Sequence, residues 1–350
     1  MKEIVINPIT RLEGHGKITI FLNDEGDVDE AYFQVPELRG FEKFCEGRPF
    51  YEMPGITSRS CGICPVSHLL ASAKACDDLL SVRIPRTAEL LRRLMHMGQI
   101  IQSHALSFFY LSSPDFLLGM DSEPSKRNIL GLAEKYPEVA KQGIWLRKFG
   151  QSIIENLSGR RIHSSNWVVP GGVGTPLSRE KADRILADVP KALETALNAV
   201  ELFKKMMNSL KDEMKDFGDF PTYYMGLVSE DGGLEHYDGK IRIVSPDGKI
   251  FADQLDPSKY FEYIGEAVED WSYMKFPYLK PVGWKGFADG ADSGVYRVGP
   301  LARLNVSNGF ATPLAQEAYE KFVATLGKPA HATLGYHWAR VIEIMAAAET

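Results

Sequence analysis

What most limits how this chain can fold is the run after Pro85, where apolar residues occupy more than one side of a long helix. Leu90, Leu94, Met97, Ile101, Leu106 and Phe108 cannot all face one neighbour. A helix apolar around most of its circumference has to lie in the middle of a large core, with other elements packed about it. Thr87 is placed to cap its start, and Ser112-Ser113-Pro114-Asp115 closes it, leaving a carboxylate at the end of a buried helix. His96 and His104, eight residues apart along it, read as satisfied core histidines rather than ligands.

Other segments supply the surroundings. A helix from Pro137 to Leu157 should stop at Gly159. A second long helix is expected after Pro190, with Leu193, Leu197, Val200, Met207 and Leu210 as its core stripe and Lys204, Lys205 and Lys211 in solvent. The loop from Tyr296 to Asn305 precedes two more helices, near Leu314 to Leu326 and Leu334 to Glu349. Residues 1–36 alternate as a small antiparallel sheet turning at Asn23 to Gly26. Residues 224–256 break into short β pieces at Asp231-Gly232, Asp238-Gly239 and Asp247-Gly248, a surface hairpin excursion. The expected fold is α+β and predominantly α. It forms one domain over residues 1–350, with a helical core at 64–215 and a C-terminal part at 257–350. Trp338, Val341, Ile342 and Met345 keep helical spacing, yet no C-cap glycine or closing basic turn follows before Thr350, which predicts a chain cut short.

Composition excludes several classes. With 44% hydrophobic residues, a net charge of −6 and no long basic run, the chain suits a globular protein without nucleic-acid partners. It has no stretch of about 18 apolar residues, so no transmembrane segment is expected. Its first residues carry neither a secretory nor a twin-arginine signal. Four cysteines, two of them close together, do not make a disulfide framework, and a reducing, cytoplasmic setting is expected.

Chemistry concentrates in Arg59-Ser60-Cys61-Gly62-Ile63-Cys64-Pro65-Val66-Ser67-His68. Two cysteines separated by two residues can aim both sulfurs at one centre, with Gly62 letting the backbone fold closely around it. Pro65 fits the first position of a helix running to about Leu80, with Leu69, Ala73, Cys76 and Leu80 on its apolar face. Cys64 then sits at a helix N-terminus, where a thiolate is favoured over a thiol. Three readings fit the pair: a dithiol redox couple, a structural zinc site, or a transition-metal thiolate site completed elsewhere. A βαβ pattern for the first and a second pair for the zinc site are both missing. Cys45 and Cys76 read as small buried hydrophobes. Upstream, Ile9 to Gly16 places two glycines where a strand would begin, marking a close backbone approach; its Glu13 and His15 suit a solvated turn. Glu42 is either a surface charge or a hard-metal ligand.

Arg39-Gly40-Phe41-Glu42, then Arg59-x-Cys61-Gly62-x-Cys64 and His68, together with Thr10 to His15, Pro170 to Val173 and Val298 to Arg303, resemble the large, catalytic subunit of nickel-iron hydrogenases along almost the whole chain. The resemblance implies reversible heterolytic cleavage of dihydrogen. It implies that Cys61 is a terminal nickel ligand and that Cys64 bridges nickel to an iron carrying carbonyl and cyanide. It also implies that Glu42 holds magnesium, Glu13 relays protons, His68 hydrogen-bonds the bridging sulfur and Asp115 lies near the metals. Electrons would pass to a small subunit holding the Fe–S clusters. The wording of Cys64 to His68 and Ser112 to Asp115 looks like the cytoplasmic members that pair with an NAD-reducing flavoprotein module. The family's second Cys-x-x-Cys near the C-terminus is not in this chain, so further residues are expected beyond Thr350. The alternatives are a metal-free or complex-I-like subunit sharing the fold, without the enzyme's chemistry, and an assembly protein that binds metal transiently.

Overall fold

The computed structural model describes residues 2–164, 167–209 and 217–350. The chain opens on an antiparallel sheet in the order β1 (Lys2–Ile6), β2 (Lys17–Leu22), β3 (Val28–Gln34). Two glycines shape the crossing from β1 to β2. Gly14 takes φ +80°, and a Cβ on Gly16 would meet Leu12, Ile9 and Phe33 at 2.7 to 3.1 Å. The close approach expected of this segment is therefore within its own sheet.

Short helices α1 (Phe41–Cys45) and α2 (Met53–Thr57) lead to α3 (Pro65–Leu79), which starts at Pro65 as its sequence predicts. The central helix α4 (Arg86–Ala105) has Pro85 at its N-cap, and Thr87 lies inside the first turn without capping it. It continues through a π-helical stretch, Leu106–Ser112, into α5 (Ser113–Leu118). The π ladder leaves wide gaps that side chains fill: the Ser112 and Ser113 hydroxyls donate to Ser107 O and Phe108 O, each at 2.7 Å. After α6 (Ile129–Lys135), α7 (Pro137–Ser158) lies against α4 and ends at Gly159 with φ +76°. Glycine makes that packing close. A Cβ on Gly150 would stand 2.5 Å from Gly98 O and 2.6 Å from Gln102 N.

The loop with Pro170 to Val173 forms a small hairpin, β4 (Val168–Val169) and β5 (Gly172–Val173). A buried ion pair holds it: Arg92 bonds Asp77 at 2.6 Å and donates to Val169 O and Gly172 O, while Asp77 accepts from Gly171 N–H. Helix α8 (Arg179–Ser209) begins eleven residues before Pro190, which lies inside it. Lys181 N–H donates to the Ser178 hydroxyl at 3.4 Å, a start signal that the proline masks in the sequence. Its buried face mixes small and large residues, Ala192, Ala196 and Ala199 with Phe203 and the expected Val200 and Met207. Leu197, expected in the stripe, is 40% exposed, and Leu210 and Lys211 lie outside the described residues.

Strands β6 (Tyr223–Val228), β7 (Lys240–Val244) and β8 (Ile250–Leu255) form the expected β excursion. It is tied into the body by a further strand. The one-turn helix α9 (Tyr260–Tyr263) and the hairpin β9 (Ile264–Val268) and β10 (Lys275–Leu279) intervene, and then β11 (Tyr296–Arg297) pairs parallel to β6. The rest of the loop expected from Tyr296 to Asn305 is mostly helix, α10 (Pro300–Val306). Tyr224, Val228 and Val244 pack with Ala302 and Val306 of that helix. Helices α11 (Pro313–Leu326) and α12 (Gly335–Glu349) complete the main core around α4, α7 and α8. No described helix is long and apolar enough to cross a membrane.

Candidate metal centre

Cys61 follows a 3-10 turn, Ser58–Ser60, and Cys64 stands at the N-cap of α3, so both sulfurs project from the bend between the two elements. Among the described residues one group of donor side chains lies close enough to share an ion. Its Cys61, Cys64 and His68 ligand atoms all lie within 4.8 Å of one another. His68, one helical turn after Cys64, brings Nε2 to 3.6 Å from the Cys64 sulfur. The Cys64 N–H donates to Cys61 Sγ at 3.1 Å. From the N-terminal loop, Glu13 Oε1 comes to 3.7 Å from Cys61 Sγ. Two thiol sulfurs with an imidazole beside them make a soft donor set, which suits nickel better than a hard cation.

The helix start does not make Cys64 a free thiolate. Burial, the Cys61 side chain and the charge of Glu13 push its thiol up to about 12. Ionisation of this sulfur is left to a cation that takes it as ligand. Cys76 is buried as expected, its thiol donating to Phe50 O at 3.4 Å, whereas Cys45 is only half-buried.

Asp115 and Glu42 are held by arginines. Asp115 accepts from Arg11 at 2.6 and 2.8 Å, and Arg127 comes within 3.3 Å. Arg11 also donates to Leu111 O, in the π-helical stretch, and has φ +53°. This anchors the loop that carries Glu13, two residues further on. Glu42 is an exposed residue of α1 bonded by Arg39, whose guanidinium holds its carboxyl below the usual carboxylate range. Glu13 is exposed, as a solvated turn requires, yet it faces the cysteines. His15 pairs with Glu37.

A cavity of about 400 Å³ opens beside Cys64, lined among others by His96, Gln99, His104, His236 and Arg303. Behind it lies a cluster that periodicity did not single out. Glu343 on α12 is fully buried and accepts from Arg303 at 2.6 and 2.7 Å. His104 Nε2 lies 2.6 Å from the same carboxyl group, and His236 Nε2 3.3 Å. Burial alone would raise this carboxyl, but the Arg303 charge and the hydrogen bonds hold it well below the usual range. Burial pushes His104 down to about 4 and His96 down to about 3. His104 is thus a satisfied core histidine, while His96 Nδ1 has no partner. A charged residue amid Val341, Ile342 and Met345 was the available signal for Glu343.

Residues 3–38 match the HoxL-like family and residues 39–137 the nickel-dependent hydrogenase family. The chain is 46% identical over 349 residues to a subunit of the F420-non-reducing hydrogenase vhu of Methanocaldococcus jannaschii, covering 100% of this chain and 81% of that protein. It is 43% identical over 361 residues to the beta subunit of the NAD-reducing hydrogenase HoxS of Cupriavidus necator, covering 99% of this chain and 72% of that one. Among solved structures, an NAD+-reducing NiFe-hydrogenase in the H2-reduced state superposes with a TM-score of 0.95 at 46% identity, over 100% of this chain and 76% of that one. These relatives are hydrogenases, which removes the ground for a complex-I-like or purely structural reading. The chain belongs to the nickel-dependent hydrogenase family, in which it is the catalytic large subunit, an oxidoreductase acting on dihydrogen.

Proposed function

We propose that dihydrogen is cleaved and formed at the corner made by Cys61, Cys64, His68 and Glu13. In this reading Cys61 would offer its sulfur to nickel, and Cys64 would offer its sulfur to the nickel–iron pair, whose iron would carry carbonyl and cyanide. When bound, the nickel–iron centre supplies the Lewis acidity and redox capacity for splitting dihydrogen. The chain's own groups manage protons around it. Glu13 takes the proton at the Cys61 sulfur and returns it in the reverse direction, which needs a carboxyl group in contact range of that atom. His68 hydrogen-bonds the Cys64 sulfur and moderates its basicity. Asp115 acts through Arg11, fixing the loop that aims Glu13. Glu42 would offer magnesium a carboxylate oxygen, in exchange for the Arg39 bond it makes in this structure.

The contact of 3.7 Å between Glu13 Oε1 and Cys61 Sγ carries this reading. In the assembled hydrogenase, Glu13→Gln should lower hydrogen–deuterium exchange by roughly 10²- to 10⁴-fold, the usual worth of general acid–base catalysis, with nickel content unchanged. Full exchange in that variant removes Glu13 from the role.

Electrons leave through a partner. Beyond the site pair, Cys45 and Cys76 do not supply the four thiolates an Fe–S cluster takes. A small subunit with Fe–S clusters, followed by an NAD-reducing flavin module in the cytoplasm, is the acceptor chain we favour, supported by the likeness to the NAD+-reducing enzyme. The F420-non-reducing relatives, up to 46% identical, favour a second reading in which another acceptor replaces NAD. Hydrogen-dependent NAD+ reduction by the purified native assembly separates the two. An intact complex that reduces a dye but not NAD+ selects the second.

A further inference from the structure

Two glutamines approach the metal-binding bend from the core side. Gln99 and Gln102 of α4 are 2% and 5% exposed. Their side-chain amides both donate to one atom, Ile63 O, at 3.0 and 2.5 Å. A buried amide without hydrogen bonds is costly, and this convergence leaves Gln99 Oε1 buried with no partner. An arrangement that tolerates an orphaned acceptor to place two donors on one carbonyl points to that carbonyl as the group being controlled.

Ile63 O belongs to the peptide whose nitrogen is Cys64 N, and Cys64 N–H donates to Cys61 Sγ at 3.1 Å. Donors on an amide oxygen draw charge from the nitrogen and make its N–H a stronger donor, the polarisation that strengthens hydrogen bonds in series. The line therefore runs from two side-chain amides, through a single peptide group, to one sulfur. Helix α4 is seated closely on α7 beside it, where a Cβ on Gly98 would stand 3.0 Å from Gly150 O.

We propose that Gln99 and Gln102 are positioning residues that set the charge on the Cys61 sulfur through the Ile63–Cys64 peptide. The proposal rests on the reading of Cys61 as a nickel ligand. A sulfur that accepts a stronger N–H bond gives less charge to its metal, so the two amides favour the more reduced nickel. Neither glutamine reaches the cysteine sulfurs directly, and their effect is carried by the backbone.

The test uses the assembled hydrogenase with Gln102→Leu and with Gln99→Leu/Gln102→Leu. Nickel content, the g-values of the paramagnetic nickel signal and its midpoint potential are measured beside activity. With nickel content unchanged, the g-values should shift and the midpoint move to more negative potential, further in the double variant than in the single. Unchanged g-values and midpoint at full nickel content overturn the proposal and leave the amides as packing. Where the double variant fails to load nickel, the single variant decides on the same criterion. Cys61→Ser, run alongside, separates the two layers. If it loses nickel while the glutamine variants are silent, only this proposal falls; if it keeps its nickel, the reading of Cys61 falls and the proposal with it.

Discussion

Helix α4 serves two polar regions that are built in opposite ways. Toward the cysteine bend it offers Gln99 and Gln102, and the groups they steady are half-buried or exposed, held by long contacts such as the 3.6 Å between His68 and Cys64. Toward α12 it offers His104, in a knot where Glu343 is sealed from solvent and met by Arg303, His104 and His236. The first region can exchange protons and ligands because little holds its groups. The second has its charges matched internally, and removing one partner strands another. Function and stability should therefore separate cleanly between the two.

Breaking the knot should show the largest effect. Glu343→Ala leaves the half-buried Arg303, together with His104 and His236, without the fully buried carboxylate they share, and should cost about 3 kcal/mol, read as a lower denaturant midpoint. A midpoint close to that of the unchanged protein would mean that the solvent at the cavity replaces the carboxylate as partner of Arg303. Acid should act on the same region without mutation. His96 and His104 stay neutral in the fold, pushed to about 3 and about 4 from an ordinary 6.5, so the unfolded chain binds more protons as pH falls below 6.5. Glu343, held below its ordinary 4.5, adds a loss of the same sign once pH drops under that value. Melting temperature should decline from pH 7 to pH 4. A flat profile would contradict imidazoles that stay neutral in the fold.

Crowding the element that both regions share should come next. Gly150→Ala puts a methyl group 2.5 Å from Gly98 O, and the overpacking should cost about 1–3 kcal/mol. The nickel midpoint potential should move with it at unchanged nickel content, since the same shift moves Gln102. At the cysteine bend itself the stability effect should be the smallest. Cys64→Ser should change metal-free stability by no more than about 0.5 kcal/mol, yet abolish nickel binding. Nickel retained in Cys64→Ser would sharpen the comparison against the bridging assignment.

The two regions were also unequally legible. Cys61, Cys64, Pro65 and His68 are neighbours in the chain, so local spacing revealed the donor set and the start of α3. The knot joins His104, His236, Arg303 and Glu343, and no local pattern links residues so far apart in sequence. Each member looked ordinary in its own helix or loop. The glutamines were missed for a related reason: on an apolar helix they read as incidental polar positions until Ile63 O is seen between them. Pro190 misled because proline suits a first helical turn, and only the Ser178 cap shows the helix starting earlier. The expectation of a thiolate at Cys64 considered the helix terminus alone. Burial and the acidic and sulfur neighbours outweigh it.

The π-helical stretch at Leu106–Ser112 works as a phase shifter. A wider loop in the ladder accommodates an inserted residue, and one residue is worth about 100° of rotation for everything after it. Deleting one residue there would regularise the helix and turn the Asp115 carboxylate away from Arg11. The loop bearing Glu13 would then lose its moorings, although nothing within reach of the sulfurs had been altered.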